Sequence, residues 1–437
     1  MSFNKLIKKY KKKKIKIGIV GIGYVGLKLL LQFAKNKVQV LGFDNNLEKL
    51  NMLNKKISPI SYIKNSEIKK TNNYSSYNAD YSKLKECDAI ILCLPTPLKN
   101  QKPDLSHIIN TLKKIKKYFK KNQLLVLEST TYPGTTEEKI KPFLDKKFLI
   151  GKNFFLGYSP ERENPGDNSY AFKNIPKICS GYSTKCTKLC LILYQMIVDK
   201  TVAAKNIKEA EFSKLIENIY RSVNISMVNE MKMISHKLNI DINNVLNLAN
   251  TKPFGFAKFE PGPGIGGHCI PIDPYYLYWK AKQVNIDAKF IKLAGQTNED
   301  TTNWVIKNFF KILTKEKKIA KKTKLLILGL AYKKNIEDTR ESASKKIITN
   351  LHGKLKKIDV SEPYIKTQNS VVSENSIFLN KYKINNISIT KNIIQKYDVV
   401  MILSDHDCFD YNLIKKESKI LIDTRNRIER KNRFYKL

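Results

Sequence analysis

A glycine-rich turn near the start of the chain constrains the fold more than any other feature of the sequence. The turn, Gly21-Ile22-Gly23-Tyr24-Val25-Gly26, follows a short apolar run with β-branched residues at 15–20 and opens a segment with helical character at 27–34. The next apolar run, at 38–43, ends at an acid, Asp44. Strand, glycine turn, helix, strand and acid in this order predict a dinucleotide-binding βαβ unit.

Each glycine of this turn has a physical reason to be a glycine. Gly21 permits the tight turn, Gly23 lets the backbone approach a pyrophosphate, and Gly26 lets the helix meet the strand. Unpaired N–H groups and the dipole at the start of the helix favour phosphate there. Asp44 is expected to hold both ribose hydroxyls and to repel a 2′-phosphate, so the predicted cofactor is NAD. The alternative is a glycine-rich turn in a sheet that binds nothing.

The rest of the chain predicts a fold with three parts. Strand-like runs at 89–94 and 124–127 continue the first sheet, and others return at 325–328, 399–403 and 420–422. Between them, residues 209–238 lack Pro and Gly and keep apolar residues at helical spacing, and a Pro/Gly-rich loop at 253–274 precedes more helix to about residue 315. We therefore predict an α/β fold of two Rossmann-like, doubly wound parallel-sheet domains joined by a central helical region. The predicted domains are 1–200, which binds NAD, 201–315, which is helical, and 316–437.

The net charge of +41 has two interpretations. Lysines are spread along the whole chain among many Asn and Ile residues, which is typical of drift toward AT-rich codons. The alternative is a non-catalytic, basic Rossmann protein that binds nucleic acid. No apolar run approaches the roughly 18 residues of a membrane span. We expect a cytoplasmic protein with neither a membrane nor a nucleic-acid partner. The seven cysteines form no CxxC pair, and we predict no metal site.

A second glycine-rich stretch, at 264–274, carries the candidate nucleophile. Cys269 lies in its middle, and Asp273 follows one helical turn later. A thiolate is a strong nucleophile that can hold an acyl group as a thioester. The alternative for Cys269 is a structural thiol in a packing loop.

One face of the long predicted helix also offers a candidate site. Lys214, Asn218 and Arg221 stand at i, i+4 and i+7, so they share that face. An ammonium, an amide and a guanidinium suit a developing oxyanion and a diphosphate. The alternative is a charged stripe that faces solvent.

These motifs, in this order, resemble the UDP-glucose/GDP-mannose dehydrogenase family over residues 15–427. The resemblance rests on the glycine turn, the Cys269 loop and four short runs, which are Leu94-Pro95-Thr96-Pro97, Glu128-Ser129-Thr130, Ser159-Pro160-Glu161-Arg162 and Asp338-Thr339-Arg340-Glu341-Ser342. The runs at 161–166 and 267–277 are most similar to the branch that acts on UDP-N-acetylglucosamine or UDP-N-acetylgalactosamine and makes uronic acids for surface polysaccharides. UDP-glucose and UDP-N-acetylmannosamine remain alternative substrates.

The resemblance implies a four-electron oxidation of the C6 hydroxyl of a UDP-sugar, without release of the aldehyde. Cys269 is implied to form a thiohemiacetal and then a thioester, which water hydrolyses. Lys214, with Asn218 as a second donor, is implied to stabilise the oxyanion. Glu161 is implied to act as the general base toward the water, which Asp273 orients.

The same resemblance implies the binding residues and a homodimer joined through the middle helices. The implied NAD contacts, with those of the glycine turn, are Gly21, Gly23, Tyr24, Val25, Gly26, Asp44, Lys49, Thr96, Thr130 and Arg340. The implied UDP-sugar contacts are Arg162, Glu163, Arg221, Gly266, Tyr332, Lys333 and Arg425.

Overall fold

The computed structural model describes residues 1–60, 62–163, 170–365, 376–379, 382–429 and 433–437. Contacts within the chain divide it into two compact units. The first unit is Met1–Glu217 with Tyr275–Ile286, and the second is Asn218–Pro274 with Asp287–Leu437.

The first unit is built on an eight-stranded sheet of order β10-β9-β8-β7-β4-β1-β2-β3. Neighbouring strands are parallel except for β8 and β9, which run antiparallel. The strands, with the short hairpin β5–β6, are β1 (Lys16–Val20), β2 (Gln39–Phe43), β3 (Ser75–Asn78), β4 (Ala89–Leu92), β5 (Leu98–Lys99), β6 (Lys102–Pro103), β7 (Leu124–Leu127), β8 (Phe155–Tyr158), β9 (Lys177–Gly181) and β10 (Thr201–Ala203). The helices are α1 (Phe3–Lys11), α2 (Tyr24–Lys35), α3 (Leu47–Asn54), α4 (Asn65–Thr71), α5 (Ser106–Ile115), α6 (Pro142–Asp145) and α7 (Thr184–Tyr194).

The central strands explain why this sheet forms. Every residue of β4 and β7 is buried, and so are the last four residues of β1. Continuous apolar strands of this kind are typical of a parallel sheet covered by helices on both faces. The core therefore lies along the middle of the sheet and fixes the loops at the carboxyl ends of its strands.

Sequence reasoning did not predict α1, in the lysine-rich start of the chain. Ser2 caps this helix by accepting a hydrogen bond from the Lys5 N–H, and Leu6 and Tyr10 are buried. The Tyr10 hydroxyl donates to the Asp88 carbonyl at 2.9 Å, and Lys9 Nζ pairs with the Asp88 carboxylate at 2.5 Å. Two buried side chains and one ion pair thus hold α1 against the rest of the first unit, although the composition of this helix is otherwise basic.

The second unit contains a five-stranded, wholly parallel sheet of order β12-β11-β15-β16-β17. Two helices, α8 (Ile207–Lys237) and α10 (Asp273–Lys282), contribute residues to both units. The remaining elements are α9 (Ile242–Ala249), α11 (Lys289–Lys315), β11 (Lys324–Leu328), α12 (Ala343–Leu351), β12 (Lys357–Ser361), the hairpin β13 (Ser376–Leu379) and β14 (Tyr382–Asn385), α13 (Lys391–Ile394), β15 (Val399–Ile402), α14 (Tyr411–Glu417), β16 (Leu421–Asp423) and β17 (Phe434–Lys436).

The predicted fold class is confirmed: each unit contains a sheet whose strands are all or mostly parallel, and a helical region lies between the two sheets in the sequence. The predicted strand ends at 94, 403 and 422 are off by one or two residues, since β4, β15 and β16 end at 92, 402 and 423. The helical stretch predicted to follow the loop at 253–274 is two helices, α10 and α11, with a break between them. The three-domain division stays a prediction. In the part of the chain that the structure describes, no helix has the length and apolarity of a membrane span.

Candidate functional site

The glycine turn of the first unit forms a cradle with one open position. Gly21 has φ +89°, and a Cβ there would lie 2.4 Å from the Cys93 carbonyl oxygen. A Cβ at Gly26 would lie 1.9 Å from the Gly21 carbonyl oxygen, whereas a Cβ at Gly23 would meet nothing within 4 Å. Gly23 also caps α2 without any side-chain hydrogen bond, and Tyr24 and Val25 form the first turn of that helix. Open space thus meets the start of a helix at Gly23, which fits the pyrophosphate of NAD.

Asp44, directly after β2, holds the turn and carries a basic partner. Its Oδ2 accepts hydrogen bonds from the Ile22 N–H at 3.1 Å and from Lys49 Nζ at 2.9 Å, and its Oδ1 accepts one from the Asn46 N–H at 3.0 Å. Lys49 thus pairs with Asp44, the acid that is expected to contact the ribose. Its role as an NAD contact stays a prediction.

The structure brings two of the predicted NAD contacts together on neighbouring strand ends. Thr96 is buried, and its hydroxyl donates to the Thr130 carbonyl at 2.9 Å. The Ser129 hydroxyl donates to the Leu94 carbonyl at 2.7 Å, and the Leu94 N–H donates back to it at 2.9 Å. The segments after β4 and β7 are therefore fixed to each other at the carboxyl edge of the sheet, where ligands bind in open α/β folds.

The segment after β8 carries three predicted site residues with partners of their own. Glu161 accepts the N–H groups of Arg162 and Glu163 on Oε1, at 2.7 and 2.5 Å. The Arg162 guanidinium donates to the Pro176 carbonyl at 2.7 Å and pairs with Glu217 at 2.8 Å.

Glu163 pairs with Lys28 of α2 at 2.8 Å. Burial, followed by the charge of Glu161, raises the pKa of Glu163 to about 7. This carboxyl, predicted to contact the UDP-sugar, thus also ties its segment to the helix that opens the glycine cradle. Residues 164–166 of the run compared above lie outside the described residues.

The start of α8 is anchored by a buried carboxylate that sequence reasoning missed. Glu211 is fully buried and accepts hydrogen bonds from the Gly134 N–H at 2.5 Å, the Thr136 N–H at 2.9 Å and the Thr136 hydroxyl at 2.7 Å. Burial raises its pKa to about 7. One turn later, Lys214 is also buried, with 9% of its surface exposed. A lysine on the predicted charged stripe therefore does not face solvent.

In the second unit, the Cys269 loop carries an exposed thiol directly before α10. Cys269 is exposed, whereas Cys87, Cys179, Cys186 and Cys190 are buried. Its carbonyl accepts the N–H groups of Asp273 at 2.8 Å and Ile272 at 3.1 Å. The thiol thus stands on a turn that leads into a helix, with its backbone fixed.

Two predicted catalytic residues of this unit meet directly. Asn218 Nδ2 donates to Asp273 Oδ2 at 2.6 Å, and both side chains are buried. The hydrogen bond joins α8 to the first residue of α10 across 55 residues of sequence. It fixes the carboxylate four residues after Cys269.

Tyr332, from the loop after β11, packs against the glycines of the Cys269 loop. A Cβ at Gly266 would lie 2.6 Å from Tyr332 Cβ, and one at Gly267, which has φ +91°, would lie 2.9 Å from its ring. Burial, then the charges of Asp338 and Cys269, raise the pKa of Tyr332 to about 12. Only glycine lets this phenol approach the loop so closely, which accounts for both residues.

The cationic residues predicted around this site have different surroundings. Arg221 is exposed and Lys333 is half-buried. Arg340 pairs with Asp338 at 2.6 Å, and its carbonyl accepts the Gly267 N–H at 3.0 Å. Arg425 donates from Nε to the Leu403 carbonyl at 2.8 Å. A Cβ at Gly262 would lie 2.6 Å from the Arg425 guanidinium. This arginine therefore lies against the Pro/Gly-rich loop at 253–274, which carries Cys269.

A lysine absent from the sequence prediction holds the same loop. Lys232 is buried on α8 and donates to the Gly262 carbonyl at 2.7 Å, while Asn229 Oδ1 accepts the Gly262 N–H at 2.8 Å. Burial and then the charge of Arg425 lower the pKa of Lys232 to about 7. It stands on a long helix among apolar positions, where sequence spacing alone could not distinguish it from a solvated lysine.

Comparison with known protein families identifies three successive segments of the chain. Residues 15–198 match the NAD binding domain of the UDP-glucose/GDP-mannose dehydrogenase family, residues 208–300 match its central domain, and residues 326–430 match its UDP binding domain. The chain belongs to this family. It is an NAD-dependent dehydrogenase of nucleotide sugars, and the glycine cradle with Asp44 lies in its NAD binding domain.

Individual relatives of this dehydrogenase extend over most of its length. Protein CapL of Staphylococcus aureus is 38% identical over 77% of this chain and 79% of its own. The UDP-N-acetyl-D-glucosamine 6-dehydrogenase of Salmonella typhi is 35% identical over 80% of this chain and 83% of its own. Among solved structures, a UDP-D-ManNAc dehydrogenase from Pyrococcus horikoshii aligns with a TM-score of 0.86 at 27% identity, over 97% of this chain and 99% of that one.

Proposed function

We propose that this dehydrogenase oxidises the C6 hydroxyl of a UDP-N-acetylhexosamine to the carboxylate, in two two-electron steps, for surface polysaccharide biosynthesis. The observation that carries the proposal is the exposed Cys269 thiol, in a loop that Tyr332 and α8 hold in place. An alcohol dehydrogenase that stops at the aldehyde needs no nucleophile. The second oxidation requires a nucleophile that can hold the acyl group, and the Cys269 thiol is such a group.

The glycine cradle supports the use of NAD. Bound NAD accepts one hydride in each of the two oxidations. Gly23 leaves room for its pyrophosphate, and Asp44 presents a carboxylate to the ribose hydroxyls.

Cys269 is proposed to capture the aldehyde. Its sulfur forms a bond to C6, giving a thiohemiacetal that still carries a hydrogen on carbon. Loss of that hydrogen as hydride, and of the hydroxyl proton, leaves a thioester. Sulfur suits both steps because the thiolate adds readily to a carbonyl and later leaves readily from one.

The polar residues are proposed to handle charge and water. Lys214 stabilises the oxygen of C6 when it carries negative charge, and Asn218 is a second donor to it. Glu161 accepts a proton from the water that attacks the thioester, and Asp273, held by Asn218, orients that water. The C–S bond then breaks, and its electron pair returns to Cys269.

The proposed substrate class is a UDP-N-acetylhexosamine. The relative from Salmonella typhi, named for UDP-N-acetyl-D-glucosamine, supports the gluco sugar. The Pyrococcus horikoshii structure, named for UDP-D-ManNAc, favours the manno sugar as a second candidate. UDP-glucose is the third substrate to compare with them.

Counting NADH tests the function. Purified protein is mixed with NAD and a limiting amount of each of four UDP-sugars, carrying GlcNAc, GalNAc, ManNAc or glucose, and the absorbance of NADH is followed. We expect two NADH per N-acetylhexosamine consumed. One NADH per sugar, or turnover of UDP-glucose alone, would contradict the proposal. Salt-sensitive binding of DNA with no NADH from any sugar would favour the nucleic-acid alternative.

A pair of thiol variants tests the role of Cys269. Cys269→Ser should abolish steady-state NADH production and leave UDP-sugar binding, measured by calorimetry, unchanged. Cys408→Ser is the matched control, because Cys408 is the other exposed thiol and has no proposed role. Equal losses in both variants would show that Cys269 has no special part.

We also propose that the enzyme is a cytoplasmic homodimer. On the second unit's part of α8 and just beyond it, exposed apolar side chains recur at alternating spacings of three, four or seven: Tyr220, Met227, Met231, Ile234 and Leu238. A stripe of this kind is typical of a helix that packs against a partner helix. Ile234→Lys should shift the mass measured by light scattering to that of a monomer. Lys237→Glu should not, because this exposed residue lies about 90° around the helix from the stripe.

A further inference from the structure

The first unit contains a buried group of charged residues behind Glu161, which we call the Lys177 cluster: Glu128, Glu161, Lys177 and Tyr194. Lys177 opens β9 and is 4% exposed, and Glu128, directly after β7, is 1% exposed. Lys177 Nζ pairs with Glu128 Oε1 and lies 3.7 Å from Glu161 Oε2. The Tyr194 hydroxyl donates to the other oxygen of Glu128. One ammonium is thus shared by two carboxylates.

The lysine of this cluster stays charged despite its burial. Burial acts to lower the pKa of Lys177, but the carboxylates of Glu128 and Glu161 outweigh it and raise that pKa above its usual value. Burial raises the pKa of Glu128 and, well above its usual value, that of Tyr194. Among the described contacts of this cluster, the Lys177 ammonium is therefore the one cation that faces Glu161 Oε2.

The two oxygens of Glu161 have different tasks. Oε1 is occupied by the N–H groups of Arg162 and Glu163. Oε2 faces Lys177 at a distance longer than a hydrogen bond, and the side chain of Glu161 keeps 16% of its surface exposed. The carboxylate is thus fixed by backbone on one side and by charge on the other, with an edge left accessible.

Stability alone does not explain such a cluster. Replacing a buried ion pair with apolar side chains of similar volume is often neutral or stabilising. Glu128 already balances the charge of Lys177 without Glu161. The arrangement has a functional explanation if the Lys177 ammonium serves to orient the Glu161 carboxylate.

We propose that Lys177, held by Glu128, is a positioning residue that orients the Glu161 carboxylate toward the water that hydrolyses the thioester. The proposal rests on the proposed function. In that step the water oxygen bonds to C6, one water proton passes to Glu161, and the C–S bond breaks with its electrons returning to Cys269. Without Lys177, Glu161 Oε2 would lose its charged partner, and only the backbone N–H groups on Oε1 would hold the carboxylate toward the water.

Other titratable groups of the first unit also face Glu161. They are Glu163, whose pKa is raised to about 7 by burial and by Glu161 and which pairs with Lys28, and Cys93, whose pKa burial raises well above its usual value. Glu128 lies behind Lys177. Neutral Cys93 does not change charge near neutral pH. Glu163 does, so the test compares variants that leave Glu163 and Lys28 intact.

The central variant is the double substitution Lys177→Met/Glu128→Gln. It removes both charges together, so no unpaired charge is left buried, and the Gln still offers an oxygen to Tyr194. Lys177→Arg is the conservative variant that keeps the charge. Lys173→Met, an exposed lysine of the loop before β9, is the matched control.

Rapid mixing with NAD and UDP-N-acetylhexosamine over a range of pH gives the decisive readouts. In the double variant we expect the first burst of NADH to persist, hydrolysis to slow by about tenfold or more, and a sugar adduct on Cys269 to accumulate in acid-quenched samples analysed by mass spectrometry. At every pH, Lys177→Arg should restore most of the rate of hydrolysis and remove the adduct, whereas Lys173→Met should behave as the wild type does.

Two outcomes would overturn the proposal. One is a double variant whose steps all slow equally and which accumulates no adduct, which is the signature of a purely structural pair. The other is a Lys177→Arg variant that behaves as the double variant does. Wild-type protein that yields one NADH per sugar, or that forms no adduct on Cys269, would instead overturn the proposed function.

Discussion

In each unit, a similar glycine turn follows one strand of the sheet, β1 in the first and β11 in the second, but the two turns have different roles. In the first unit, the Gly21 N–H donates to the last carbonyl of β2, Phe43, at 2.8 Å, and Gly21 has φ +89°. In the second, the Gly329 N–H donates to the last carbonyl of β12, Ser361, at 2.9 Å, and Gly329 has φ +81°. An acid follows each of these two strands and accepts backbone N–H from the turn: Asp44 from Ile22, and Glu362 from Leu330 and Ala331.

The turns diverge at the third residue. Gly23 leaves open space and leads at once into α2, so a helix N-terminus faces that space. In the second unit, Ala331 occupies the matching position and donates to Glu362 at 3.0 Å, and α12 begins only at Ala343. The first sheet therefore offers an anion site, and the second sends the longer loop, with Tyr332, to the Cys269 loop.

The largest effect should come from filling the glycine cradle. Gly26→Ala places a methyl 1.9 Å from the Gly21 carbonyl oxygen, so α2 must move away and NAD binding should be lost, with a stability loss of about 3 kcal/mol or less. Gly23→Ala should weaken NAD binding and leave the melting temperature unchanged, because its methyl meets only open space. Titration with NAD and thermal unfolding measure both.

The second unit provides the control for that comparison. Gly329→Ala puts a Cβ 2.4 Å from Ser404 Cβ and requires a strained φ, so it should lower the melting temperature. NAD affinity should stay at the wild-type value. A loss of NAD affinity in this variant would show that the two turns are not functionally separate.

Buried carboxylates should give the two units opposite responses to pH. The pKa of Glu211 rises from 4.5 to about 7 by burial, so the folded state binds its proton more tightly than the unfolded state does. Stability is then lost as pH rises from about 4.5 to about 7, by about 3 kcal/mol for this one group. In Glu362, hydrogen bonds from His406 and the turn N–H groups outweigh burial and lower the pKa, so its contribution is present above the usual 4.5 and lost in acid.

Urea unfolding of Glu211→Gln and Glu362→Gln at several pH values tests this contrast. The first variant should lose the decline of unfolding free energy between about pH 4.5 and pH 7. The second should lose the acid-side slope instead, and should be less stable by about 2 kcal/mol near neutral pH. Parallel curves for wild type and Glu211→Gln would refute the assignment for Glu211.

The smallest effect should come from Lys49. Its ammonium lies 2.9 Å from Asp44 Oδ2 and offsets part of the charge that repels a 2′-phosphate. Lys49→Met should therefore raise the preference for NAD over NADP, measured as the ratio of kcat/KM values, while unfolding free energy changes by less than about 1 kcal/mol. A ratio that stays constant or falls would mean that Lys49 does not weaken the discrimination by Asp44 against NADP.

The sequence was sufficient to predict the sheets and the glycine cradle because their signals are local. The turn, strand and acid that bring Gly21, Gly23 and Asp44 together lie within one βαβ unit, and β4 and β7 are continuous apolar runs. The same local logic placed Asn218 and Arg221 on one helix.

Partners far apart in sequence left no such signal. Lys177 and Glu128 are 49 residues apart, and Glu211 and Thr136 are 75 apart, with no periodicity to connect them. Glu362 likewise left no signal, because the turn after β11, whose N–H groups it accepts, lacks the full glycine pattern. Its correspondence to Asp44 appears only in the hydrogen bonds. Buried charges that find distant partners are determined by tertiary packing, which spacing along one chain does not encode.

The accessible sulfur of Cys269 also makes the enzyme vulnerable. Peroxide oxidises accessible thiolates first, to a sulfenic acid that a second thiol can rescue as a disulfide and that otherwise proceeds to irreversible acids. Cys179 and Cys190 are buried in the first unit, away from solvent oxidants. If Cys269 is the nucleophile, as proposed, its oxidation would stop turnover while the fold stays intact, and external reductant would decide whether activity returns.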